Sequence, residues 1–554
     1  MLKFKVFDAG EPATEWPLRN AYLVDSEGNG LRGSISFSNG VISCEKSEAG
    51  TAALCLQHEV GELGQVTMRT CLLPERSAPY LLSVELARHR LMMLYNKLED
   101  WAMFELGDQH AVTKREKKSR RLFVEALCVQ DQDPVEGTRL ANEALTTALD
   151  GSEELALAHS ELLLNKRVET NSLPRAPLGA GVGLALAHEE RLRAGLTAGF
   201  DFVQLPLPWK VLAPEENEYQ WGPADAWASW ARSAGKPVVA GPVISFEPSS
   251  LPDWLYIWEH DFETVRDLIY EHIERVVTRY KGVVSAWNIV SGLHVNSHFT
   301  FNFEQLIDLT RMATMLVRKL HPEAKIIVEL RQVFGEYYAQ NPRSIPPMMY
   351  VDLLIQSSIQ FDAFGVRVPM GQALDGQYTR DLMQLSSLLD QFTGFGKQVF
   401  LTVAVPSEPV TEFMIASPST ANTQGDAPID PDCGYWRRPW SPTVQGHWLE
   451  AVLQIAMSKP FIEAVCWQDL QDHGDIDLPM SGLIDENGQP KPSFRRLLHF
   501  RQNVGLETPG VAKAVKEAGA AGKAPVAAEA DSTLGTPPEP GASSDASDDV
   551  AQAE

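Results

Sequence analysis

Four acids stand where apolar, strand-like runs give way to loops: Glu247, Glu329, Asp469 and Asp472. Two carboxyls in unlike surroundings, one raised in pKa by burial and one kept ionised, are the minimum equipment for acid/base hydrolysis. Each also has an ordinary use: Glu329 can pair with Arg331 or Arg367, and Asp469 can cap a loop. His294, His298 and His473 lie near the same loops, but their spacing does not supply the three convergent ligands of a catalytic metal, so no metal is expected. Gly179-Ala180-Gly181-Val182-Gly183 falls within a strand rather than after one, which argues against a phosphate-cradling loop. No cofactor is expected. The six cysteines are scattered without metal-ligand spacing and read as buried thiols.

Aromatic residues are the features best suited to sugar. Trp209, Trp254, Trp467 and the run CGYWRRPW, with Tyr435, Trp436, Arg437, Arg438 and Trp440, combine flat rings with planar guanidinium groups. Rings stack on the apolar faces of pyranoses, and arginine forks bond hydroxyls or uronate carboxylates. Core packing is the competing use, and Trp254 reads as structural. The insertion 406–446 is long for a connection and reads as a lid or binding loop.

These residues need elements to carry them. From Pro174 and Pro177 to about Phe500 the chain alternates buried strands with amphipathic helices. The expected strands are 179–186, 202–205, 238–244, 284–290, 325–329, 363–368, 399–405 and 464–467. Eight such units predict an α/β fold of the (β/α)8 TIM-barrel type over residues 175–505, with its site at the C-terminal ends of the strands. Residues 1–77 alternate short β-rich runs with turns and predict a small β-sandwich-like accessory domain. Residues 78–170 predict a helical segment: one long amphipathic helix, then helices over 134–149 and 152–166, the last with Ser152 as N-cap. The basic run Lys114–Arg121 is expected to be a solvated connector between helices. Residues 506–554 are rich in Ala, Pro, Gly, Ser and acids without aromatics, and predict a disordered acidic tail.

A formal net charge of −25 disfavours nucleic acid and anionic membrane surfaces as partners. The start MLKFKVFDAGEP lacks an apolar run of signal-peptide length, and no segment reaches the roughly 18 apolar residues of a membrane span. A cytoplasmic location is the expectation.

FVQLPLPWKVLAPEENEYQW, with Trp209, Pro214 and Tyr219 to Trp221 coinciding, is similar without a gap to the TPENEMKWEAIEPEQGKFNF stretch of the family 10 glycoside hydrolases, the endo-β-1,4-xylanases, which the barrel segment resembles. Leu251-Pro252-Asp253-Trp254 matches its LPDW, Trp287 to Gly292 its WDVVNE, Gly365 to Pro369 its GFQSH, and Leu401 to Val405 its ITELD. Trp467 resembles its last-strand tryptophan, and Gly482 to Pro492 its closing DENGQPKP segment.

The resemblance implies a glycan or glycoconjugate partner at the barrel mouth, with Trp209, Asn288, Arg367, Trp436 and Trp467 as substrate-binding candidates. It also puts the two catalytic glutamate positions at Gly292 and Val403, neither of which carries a carboxylate. Neighbouring sugar-contacting positions read Gln204, Leu205, Pro208, Pro242, Arg367 and Pro369, all departures. The leading expectation is therefore a family 10-like protein that acts on or binds a β-linked glycan without standard retaining xylanase activity. The alternatives are a hydrolase with relocated carboxylates, Glu247 or Glu329 with Asp469, and a structural or assembly protein that uses the barrel as scaffold.

Overall fold

The computed structural model describes residues 1–47, 50–410, 435–474 and 476–506. Eight parallel strands close a barrel: β1 (Leu178–Gly181), β2 (Phe202–Leu205), β3 (Val238–Ala240), β4 (Val284–Ser291), β5 (Lys325–Leu330), β6 (Ala363–Pro369), β7 (Gln398–Ala404) and β8 (Ile462–Trp467). Closure comes from β8 returning to β1, with Ala180 beside Trp467. Two strands are shorter than their apolar runs predict. β1 gives way after Gly181 to a helical turn at Leu184–Leu186. The third run breaks at Pro242, which has no N–H for the ladder, and resumes as a two-residue strand Ile244–Ser245 against β4.

Side chains alternate across each strand, so one set lines the barrel and the other meets the helices. The lower inner layer is apolar and includes Phe202, Val239, Ala286, Ile327, Ala363 and Ala464. One pleat higher, the inward residues turn polar: Gln204, Asn288, Glu329, Arg367, Thr402 and Cys466. A barrel stabilised only by packing would continue with branched apolar side chains there.

Before the barrel, two four-stranded sheets occupy the N-terminal segment. One orders Tyr80–Leu81, Leu2–Lys5, Val41–Lys46 and Gly33–Ser38; the other orders Gly30–Leu31, Tyr22–Val24, Ala53–Glu59 and Gln65–Arg69. Their inner faces share one core with the helices that follow, Phe4, Ile42 and Leu56 packing with Leu86 and Leu145. The segments 1–77 and 78–170 are thus built around common apolar contacts.

Helix α1 (Leu82–Asp100) follows the predicted periodicity. Helix α2 (Ala111–Val129) corrects the connector expectation, because the basic run lies inside it. Val112, Leu122 and Ala126 form its buried stripe, while Lys117 and Lys118 pair outward with Asp108 at 2.7 Å and Glu143 at 3.1 Å. Helix α3 (Pro134–Glu169) fuses the two helices expected at 134–149 and 152–166. Its cap is Asp133, which accepts from the Glu136 N–H at 3.0 Å ahead of Pro134. Ser152 is no cap: its hydroxyl donates back to the Ala148 carbonyl at 2.7 Å, so the helix runs on. Among the described residues no helix is long and apolar enough to cross a membrane. The expected tail beyond residue 506 and most of the 406–446 insertion, residues 411–434, lie outside the described residues.

Candidate functional site at the barrel mouth

Glu329 ends β5 on the inner face and is 2% exposed. Ser291 at the end of β4 donates to its Oε1 at 2.6 Å, and Arg367 on β6 donates to the same oxygen through Nε at 3.1 Å. Burial opposes the charge on Arg367, but Glu329, Asp477 and Glu247 outweigh it and raise the guanidinium pKa. Above this pair, Arg331 forms an ion pair with Glu247 and reaches Asp477 at 3.9 Å. Burial pushes the Glu247 carboxyl up, while Arg331 pulls it down. The structure brings Glu247 and Glu329 into one network, each against an arginine.

Asp469 reaches His473 at 3.9 Å and adds to the negative charge that raises the Arg367 guanidinium. Asp472 turns to a structural use, pairing with Lys491 and accepting from the Gly482 N–H at 2.7 Å. His294 is buried, stacks on Tyr350 with centroids 5.1 Å apart, and bonds the Arg331 carbonyl at 2.9 Å; burial lowers its pKa to about 4. No group of three or more His, Cys, Asp or Glu among the described residues is placed to hold a metal ion.

Asp375 is an acid that sequence reading passed over. It lies on the loop after β6 and lines a cavity with Glu247, Arg331, Gln332, Arg367 and Gln377. Burial, with Glu336 nearby, raises its pKa to about 6. The only signal in the sequence was its place after a barrel strand, in a Gly- and Gln-rich stretch without apolar pattern. The cavity holds about 30 Å³. That is room for a water or two, against the roughly 300–1,000 Å³ of clefts that enclose organic ligands. The amide oxygens Asn288 Oδ1, Gln332 Oε1 and Gln468 Oε1 are buried at this end of the barrel without a protein donor. They are hydrogen-bonding capacity that water or a hydroxylated ligand would use.

Three tryptophans expected to stack on substrate are placed otherwise. Trp467, a substrate-binding candidate from the sequence, is 2% exposed and its Nε1 donates to the Ser481 carbonyl at 2.9 Å. Cys466 is the inward residue there, bonding Gln204 Oε1 at 2.9 Å, so Trp467 points into the outer core. Trp209 packs between His272, stacked at 4.3 Å, and Trp254, edge-on at 5.6 Å. Trp436 is buried and donates to Glu153 of α3 at 2.8 Å.

The same alternation applies to Val403. It is fully buried in the outer core, and the inward residues of β7 are Phe400, Thr402 and Ala404. Gly292, just past β4, has φ +65°, and a Cβ there would stand 3.2 Å from Arg331 Cδ. Neither β4, VSAWNIVS, nor β7, QVFLTVA, contains an acid in any register.

Comparison with known proteins decides the lineage. The sequence profile of Glycosyl hydrolase family 10 matches residues 206–498, more than half of the chain. The chain belongs to glycosyl hydrolase family 10. Among curated relatives, endo-1,4-beta-xylanase 1 of Gibberella zeae is 28% identical over 85 residues, 15% of this chain and 23% of that protein. Endo-1,4-beta-xylanase A of Xylanibacter ruminicola is 25% identical over 169 residues, 29% of this chain and 42% of that protein. The chain thus spans less than half the length of these two relatives. Xylanase 10B from Thermotoga petrophila RKU-1, solved in complex with xylobiose, covers 62% of this chain and 97% of its own at 16% identity, with a TM-score of 0.43.

Proposed function

We propose that this family 10 protein recognises a β-linked, xylan-type glycan at the mouth of its barrel without hydrolysing it by the retaining route. That route needs an acid and a nucleophilic carboxylate roughly 5–5.5 Å apart across the scissile bond. The observation that carries the proposal is the charge arrangement: no acid on β4 or β7, and Glu247 and Glu329 each held by an arginine. A carboxylate whose lone pairs are engaged by a buried guanidinium is a poor nucleophile. The buried amides at the mouth, and the xylanases among the relatives, support a glycan as the ligand. Glu247 or Glu329 acting with Asp469 is disfavoured by those same pairings.

Calorimetric titration of the full chain with xylotriose tests the binding half. Saturable heat at one site per chain is the expected result. Absence of heat at millimolar sugar, with the protein folded, would favour the second reading, a barrel kept as scaffold. That reading draws its support from the small mouth cavity.

A further inference from the structure

Two of the loops that line the mouth cavity, those after β5 and β6, are fastened from outside by the N-terminal segment. The loop after β6 has two faces. Asp375, Gly376 and Gln377 line the mouth cavity. On its other side, the Thr379 carbonyl accepts from the Thr67 N–H at 3.1 Å, and Asp381 accepts from both terminal nitrogens of Arg90 on α1, at 2.6 and 3.1 Å. Arg380 donates to the Tyr22 hydroxyl at 3.3 Å and to Glu336 at 3.3 Å.

Glu336 belongs to the loop after β5, and its other oxygen accepts from the Gly376 N–H at 3.1 Å. It therefore ties one mouth loop to the other. The β5 loop is gripped in turn by the first sheets. Arg32 donates to the Pro342 carbonyl at 3.2 Å, and Gly30 lies so close that a Cβ there would stand 3.2 Å from the Ala339 nitrogen. Arg90, Arg380, Glu336 and Asp381 are all buried. Charge-assisted hydrogen bonds between buried partners hold geometry far more firmly than exposed pairs do.

We infer that the N-terminal segment is a clasp: it holds the β5 and β6 loops shut over the polar layer of the barrel, and a glycan enters only when those loops let go. The clasp itself is independent of ligand; its consequence for sugar rests on the glycan-binding reading above. The alternative role for the segment, a separate accessory domain, would leave the mouth loops indifferent to its contacts.

The test is hydrogen exchange on the full chain carrying Tyr22→Phe and Asp381→Asn, the second keeping a helix-capping side chain. Amides of residues 371–381 are expected to exchange at least tenfold faster than in the unmodified protein, with β4 amides unchanged. Loop amides that keep their original rates in the folded variant would overturn the clasp. If the double variant fails to fold, Arg32→Ala, which removes a single exposed donor, is read on residues 335–342 by the same criterion. Xylotriose titration of the variant separates the two claims. Faster exchange with binding tightened threefold or more supports both. Faster exchange without any sugar binding supports the clasp and overturns the glycan reading.

Discussion

Ser291 and Arg367 both direct hydrogens at one oxygen of Glu329, which leaves that carboxylate buried but compensated. Arg367→Met removes the compensating charge while keeping much of the volume. It is expected to cost about 3–5 kcal/mol in denaturant unfolding, the usual price of stranding a buried ion. Trp467 belongs to the outer core, so Trp467→Ala is expected to lower stability by about 3–5 kcal/mol through cavity formation. A variant with a near-normal unfolding midpoint would contradict that placement. Acids placed at Gly292 and Val403 are expected to yield no hydrolase for different reasons: Gly292→Glu meets a left-handed backbone beside Arg331, and Val403→Glu puts a charge among the barrel helices. The sequence made the chemistry of these positions legible but not their direction. In a strand a shift of one residue exchanges inside for outside, and an apolar run such as Val399 to Val405 carries no mark of which parity faces the axis.

At the scale of elements, α3 shows how local signals mislead. Ser152 followed by Glu153 and Glu154 looks like a helix start, yet Glu153 faces inward and does another task. It is 1% exposed and accepts from the Leu382 N–H at 3.1 Å, Trp436 Nε1 at 2.8 Å and Arg437 Nε at 2.8 Å, joining α3 to the barrel. Glu153→Ala is expected to cost about 3 kcal/mol or more, whereas Ser152→Ala should be nearly neutral, as thermal melts of the two would reveal. The strands and α1 were legible because hydrophobic period reports burial directly. The fate of Trp436 and Arg437 was not, since their partner Glu153 lies nearly 300 residues away in the chain.

For the whole molecule, buried histidines weaken the fold as pH falls. Burial lowers His272 to about 3, and His58 and His294 to about 4, all below the roughly 6.5 of an unfolded histidine. Between those values the unfolded chain binds more protons than the folded one, so these groups' contribution is complete above about pH 6.5 and lost as pH falls toward 4 and then 3. Unfolding midpoints across pH 7 to 4 should decline accordingly, and a flat profile would contradict the buried, neutral state of these rings. Whether the barrel hydrolyses glycan is settled most directly by incubating the full chain with xylohexaose and following product release by chromatography. The predicted result is release no faster than in a buffer control. Steady release of shorter xylo-oligosaccharides with retained anomeric configuration would contradict it.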